Sequence, residues 1–192
     1  YDDLKSRINN ADGIVALLND KLDNDILHYE GVLFTAQSLG SLIMLQQGNM
    51  LMVAQRPIVK GLFDWVCAKK PDINFGACDI FYAAMASLTP RPWGGDPDKG
   101  KIIFESLIKK FPNNWLARTA FIRFYLIPMA DEDGYKGQRD ALENATVLFK
   151  KGLNWKPRNK NLSILEIKRM RLYQALALKR FSIIKKFEKD LF

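Results

Sequence analysis

Three segments carry a phenylalanine followed eight residues later by a proline: Phe63–Pro71, Phe104–Pro112 and Phe149–Pro157. An aliphatic residue precedes each Phe (Leu62, Ile103, Leu148), and a small or medium residue stands four before it (Val59, Gly100, Ala145). Apolar or small residues return three and four positions later: Val66 and Cys67, Leu107 and Ile108, Gly152 and Leu153. Offsets of −4, −1, 0, +3 and +4 form one stripe on an α-helix and no continuous face on a strand. The proline then closes the helix, because it lacks the N–H that the ladder needs. A chain with this spacing is built of helices whose apolar stripes must be covered by other helices.

The small residue four before each Phe gives a neighbouring helix room, and the Phe fills the gap. That is the spacing of the second helix in a tetratricopeptide-like hairpin. The predicted fold is therefore all-α, a helical-hairpin repeat bundle or solenoid forming a single domain over residues 1–192, with repeat-core residues Phe63, Phe104 and Phe149. The repeats lie 41 and 45 residues apart, above the usual ~34, so longer loops or added helices are expected between hairpins.

Caps and breakers place the elements. Helices are expected over about 11–22, over 25–47 with Asn24 or Asp25 as N-cap, and from an Asn49 cap to Lys70, kinked or divided at Pro57. A further helix is expected over 73–88 after Asp72. Asp96–Pro97, a carboxylate cap followed by Pro at the first helical position, opens another that runs to Phe111. Asn113 or Asn114 opens one to Ile127, the loop MADEDGYKG leads into 135–153, and the last spans 161–189. No segment of length alternates apolar with polar residues, so no strand is predicted.

The net charge of +8 resembles a nucleic-acid signal until it is divided along the chain. Residues 1–149 hold 16 basic against 18 acidic side chains, and residues 150–192 hold 13 against 3. The excess sits in the last fifth of the chain, where Met170, Tyr173, Ala177, Phe181, Ile184 and Phe187 share one face of the C-terminal helix by steps of three and four. Lys168, Arg171, Lys179 and Lys186 fall roughly opposite. This reads as an amphipathic closing helix with a charged, solubilising outer face. Nucleic-acid binding needs stacking aromatics in a basic groove; here they lie on the face expected to be buried, so no nucleic-acid partner is expected. Contact with an acidic partner or an anionic membrane surface stays open on charge alone.

No catalytic set can be assembled. His28 is the only histidine and has no second His or Cys to join it. No nucleophile-elbow or phosphate-loop sequence occurs, and Asp131–Glu132–Asp133–Gly134 lacks the alternating carboxylates of a calcium loop. Cys67 and Cys78 belong to no CxxC pair; buried free thiols are expected, with one disulfide between adjacent helix ends as the alternative. No enzyme activity, metal or cofactor is expected. The most apolar stretch, Val32 to Leu45, is interrupted by Gln37, Ser38, Gly40 and Ser41 and is too short to span a bilayer.

The loop SLTPRPWGGDP (residues 87–97) is longer than a minimal helix connection. Pro90, Pro92 and Pro97 stiffen it, Gly94 and Gly95 allow a reversal, and Arg91 and Trp93 are presented on it as binding candidates. The alternative is that Trp93 folds back over the end of the bundle. Aromatic residues on flanking helices, Phe81, Tyr82, Phe124 and Tyr125, are core or line an apolar cleft.

The stretches INFGACDIFYAAMASLTPRPWGGDPDKGKIIFESLIKK and RFYLIPMADEDGYKGQRDALENATVLF resemble the T component of TRAP (tripartite ATP-independent periplasmic) transporters. The similarity runs over most of the chain and includes the Pro–GGDP–basic loop, the acidic turn and the ending Leu191–Phe192. Gly100 departs from the Ala expected after the GGDP element, and TAQSLGSLIML replaces an expected Trp-rich stretch. The resemblance implies a non-enzymatic periplasmic accessory protein. It implies a lipid anchor on an N-terminal Cys absent from a chain that starts at Tyr1, homo-oligomerisation, the transporter's solute-binding protein as partner, and a hydrophobic ligand in an apolar cleft. The runner-up is a cytosolic tetratricopeptide-like adaptor that binds a peptide or protein.

Overall fold

In a computed structural model, which describes residues 10–150 and 162–191, most helix starts reflect a side-chain cap. Asn10 accepts from the Gly13 amide and opens α1 (Ala11–Lys21). Asp25 accepts from Leu27 and opens α2 (Ile26–Leu45). Asn49 opens the single turn α3 (Met50–Val53). Pro57 then sits in the first turn of a separate helix, α4 (Arg56–Lys69), so the expected helix is divided, not kinked. The following helix begins later than the sequence suggests. Ile73–Phe75 form a 3₁₀ turn with Asn74 and Phe75 at positive φ, and the left-handed Gly76 leads into α5 (Ala77–Leu88).

Asp96 accepts from the Lys99 amide at 3.0 Å and starts α6 (Pro97–Lys110). Asn114 starts α7 (Trp115–Phe121), which continues as a π-helical turn over Ile122–Leu126. There the Ile127 amide donates to the Ile122 carbonyl at 3.0 Å, one residue further back than in an α-helix. The acidic turn is shorter than expected, since α8 (Glu132–Lys150) already begins at Glu132. A capping box between Ser163 and Glu166 opens α9 (Ile164–Lys186), and a 3₁₀ turn follows at Glu188–Asp190. No strand occurs among the described residues.

The chain divides into two compact units between Ile73 and Asn74. In the first, α4 packs against both α1 and α2. Its buried stripe, Ile58, Val59, Leu62, Phe63, Val66 and Cys67, matches the spacing read from the sequence. Trp65 lies tilted on Tyr29 with centroids 5.3 Å apart, and both polar tips are satisfied: Trp65 Nε1 donates to Asn19 Oδ1 at 2.7 Å and the Tyr29 hydroxyl to Asn24 Oδ1 at 2.6 Å. His28 Nδ1 lies 2.7 Å from Asp23 Oδ1, a local tie at the start of α2.

In the second unit α5 and α6 form a hairpin, and α7 joins them around a core of Ala83, Phe104, Phe121, Ile122, Leu126, Tyr135, Leu142 and Phe181. Buried amides tie the pieces: Asn114 Nδ2 donates to the Phe75 carbonyl at 2.9 Å and Gln174 Nε2 to the Asn113 carbonyl at 3.1 Å. Burial, reinforced by Glu188, pushes the Tyr135 hydroxyl up to about 12.

The three anchor phenylalanines are not equivalent. Phe63 and Phe104 are buried, whereas Phe149 keeps 38% of its surface in the last described turn of α8, edge-on to Trp115 at 6.4 Å. Of the third stripe, Ala145 is buried and Leu148 half exposed, while Gly152, Leu153 and Pro157 lie outside the described residues. The architecture is thus all-helical, with two well-formed stripes of the expected kind. Cys67 and Cys78 are not free thiols; both are disulfide-bonded, the alternative of the two states considered.

Candidate partner-docking site

The α5–α6 hairpin sets the site. The two helices approach closely because residue 100 is glycine: a Cβ there would collide with Ser87 Oγ and lie 2.9 Å from the Ala83 carbonyl oxygen. Ser87 is itself buried, its hydroxyl donating to that carbonyl at 2.8 Å. At the tip, the Asp96 amide donates to the Ala86 carbonyl at 2.8 Å, the Trp93 amide to Pro90 at 2.9 Å and the Gly95 amide to Pro90 at 3.2 Å. Gly94 has φ +88°, and a Cβ at Gly95 would overlap the Thr89 carbonyl. Only glycine fits these two positions. The loop is therefore stiff before any partner arrives.

Two side chains project from it. Arg91 Nη2 donates to Asp98 Oδ2 at 3.0 Å across the loop, with both groups solvated. Trp93 is 76% exposed and does not plug the bundle. Tryptophan is costly to leave in water, and Trp is one of the residue types enriched at interface hot spots.

The other four candidates are not gathered with these two into a cleft. Phe81 and Tyr82 are half-buried and meet edge to face at 5.5 Å. Phe124 is half-buried under the Arg123 guanidinium at 5.2 Å. Tyr125 is core, 8% exposed and tilted on Phe121 at 5.5 Å. Lys101 Nζ lies 5.7 Å from that ring and 3.2 Å from Asp131 Oδ2. The Gly134 amide, and beyond it Lys101, holds the Asp131 carboxyl below its ordinary range, and Asp131 in turn raises Lys101. None of the six lines the surface groove of about 630 Å³ between α1 and α4, which borders Trp65.

Two faces were not singled out from the sequence. The outer side of α2 exposes Leu27, Phe34, Leu42 and Leu45 without a charged residue among them. On α9, Phe187 is 57% exposed, and the outer face is not uniformly charged but carries exposed leucines and isoleucine. The signal for both was present: apolar residues recur on two sides of each helix, so one side alone can face a core.

Among the described residues no group of His, Cys, Asp or Glu is arranged to hold a metal ion, and no helix is long and apolar enough to cross a membrane. What the 87–97 loop presents is an exposed tryptophan on a helical scaffold, and no catalytic grouping accompanies it among the described residues. A family model described as TRAP transporter T-component matches residues 2–192, and the chain belongs to that family. It is thus a component of a TRAP transport system, with an accessory role in transport, and its class is not an enzyme class. No curated protein and no solved structure matches the chain.

Proposed function

We propose that the protein is a periplasmic, lipid-anchored accessory of a TRAP transporter that docks the solute-binding protein through the Trp93 loop. The observation that carries this reading is Trp93 held in solvent on a loop whose own hydrogen bonds and glycines leave it little freedom. Binding then orders almost nothing further, so the apolar area covered goes into affinity. Arg91, beside the Trp, adds a polar contact at the rim.

The homo-oligomer belongs to the same reading and is supported by α2. Leu27, Phe34 and Leu45 fall on one line of that helix with Leu42 to its side, all exposed and uncharged. A contiguous apolar face of this kind is covered in working proteins. A second copy suits it, since like copies meet there without charge repulsion. A hydrophobic ligand would rest on the half-buried rings of Phe81, Tyr82 or Phe124, with Tyr125 held in the core against Phe121.

Family membership favours this reading over a general cytosolic adaptor. The test is calorimetric titration with the solute-binding protein of the same transporter. The expected result is a saturable complex in the micromolar range or tighter, typical of a standard interface. Absence of any complex, with and without transported solute, contradicts the proposal.

A further inference from the structure

The outer face of α9 is organised as neither a core nor an ordinary solvated helix. Leu165, Leu172, Leu176 and Ile183 follow one another at steps of seven, four and seven, which at 100° per residue is a single line along the helix. All four are exposed, between 42% and 59%. They lie on the side away from the buried Met170, Tyr173, Ala177 and Phe181. Lys168, Lys179 and Lys186 run along one flank of the line, and Arg180 along the other.

Carboxylates are scarce on this helix. Its one acid, Glu166, is taken up by the capping box with Ser163. Nearby carboxylates are engaged elsewhere, Glu143 with Lys185 and Glu188 with Arg139. No ion pair reaches Lys168, Lys179, Arg180 or Lys186 among the described residues. Burial, and beyond it the like charge of Arg123, holds the Arg180 guanidinium below its ordinary range.

We propose that this face of α9 is a docking surface for an anionic lipid bilayer. The cationic flanks reach lipid phosphates, each basic side chain near the surface contributing about 1 kcal/mol. The apolar line settles against the boundary between headgroups and acyl chains. The face is straight over some 20 residues, about 30 Å of helix, and so matches a flat surface better than a concave one. A second copy is a poor occupant, because rows of cations would be brought against rows of cations. The proposal is independent of the Trp93 loop, which belongs to a different part of the same unit.

Vesicle flotation of the full chain tests it, with no lipid anchor attached. Vesicles of phosphatidylcholine alone are compared with vesicles containing about a quarter phosphatidylglycerol, at low salt and at about 0.5 M salt. The proposal expects binding at least tenfold stronger to the anionic vesicles, lost at high salt. Lys179→Glu with Arg180→Glu should weaken it by more than tenfold, and Leu176→Ser with Ile183→Ser by several-fold, with unchanged helical circular dichroism. Lys99→Glu with Lys109→Glu on α6 removes the same charge elsewhere and should leave binding nearly intact. Equal binding to both vesicles, no binding to either, or equal losses in the α9 and α6 variants overturns the proposal. So does capture of an acidic protein by this face in the absence of vesicle binding.

Discussion

The ring of Phe104 lies stacked on that of Phe121, centroids 5.2 Å apart and planes 26° from parallel, with no surface of Phe104 left in water. This pair joins α6 to α7 at the centre of the second unit. Phe104→Ala is expected to cost about 3–5 kcal/mol of stability, the usual range for emptying a buried phenylalanine site. Phe149→Ala should cost less than about 1 kcal/mol, because that ring is largely outside the core. Urea denaturation of the two variants checks both values.

Gly100 is where two helices touch. Gly100→Ala is expected to destabilise by about 1–3 kcal/mol through overpacking, although alanine is the better helix former by nearly 1 kcal/mol. Adding Ser87→Ala should recover part of that loss and not all of it. The hydroxyl is then gone, but the Ala83 carbonyl still stands 2.9 Å from the new methyl. Thermal melts of the single and double variants measure the recovery.

Asp131 links pH to stability. Its folded pKa lies below the ordinary value of about 3.9, so the folded state favours the ionised form. The resulting stability is fully present above about pH 4 and is lost as pH falls through the folded pKa. Asp131→Ala should therefore cost about 1–2 kcal/mol at neutral pH, and the gap to wild type should narrow on acidification below pH 4. Denaturation midpoints measured across that window report it.

The apolar line on α2 makes its own forecast. Phe34→Asp with Leu45→Asp places charge on an exposed surface, so monomer stability should change by less than about 0.5 kcal/mol. Self-association should fall by at least tenfold. Sedimentation equilibrium is the measurement, and a variant that associates as the wild type does would move the interface elsewhere.

Helix starts were legible because caps are local: Asn49, Asp96 and Asn114 each accept from an amide two or three residues on. The stripes around Phe63 and Phe104 were legible because a 3.6-residue period survives any tertiary arrangement. The π-turn at Ile122–Leu126 was not. It depends on Pro128 and on how the Asp131 amide reaches the Leu126 carbonyl, relations no propensity records. The late start of α5 was missed for a similar reason. Asn74 and Phe75 adopt positive φ, for which the sequence IN-F-G offers only the glycine as a cue. At the site, the stiffness of the 87–97 loop could be read from its prolines and glycines, but not the direction of Trp93. The aromatic set of Phe81, Tyr82, Phe124 and Tyr125 read as one group, yet the fold puts Tyr125 in the core and leaves the others partly open.

The most direct test of docking through the 87–97 loop is the affinity of the Trp93→Ala variant for the solute-binding protein, measured calorimetrically beside the wild type. An anchor residue of this kind carries 2 kcal/mol or more, so affinity should drop about thirtyfold or further while the melting temperature stays unchanged. Wild-type affinity in the variant would contradict the account.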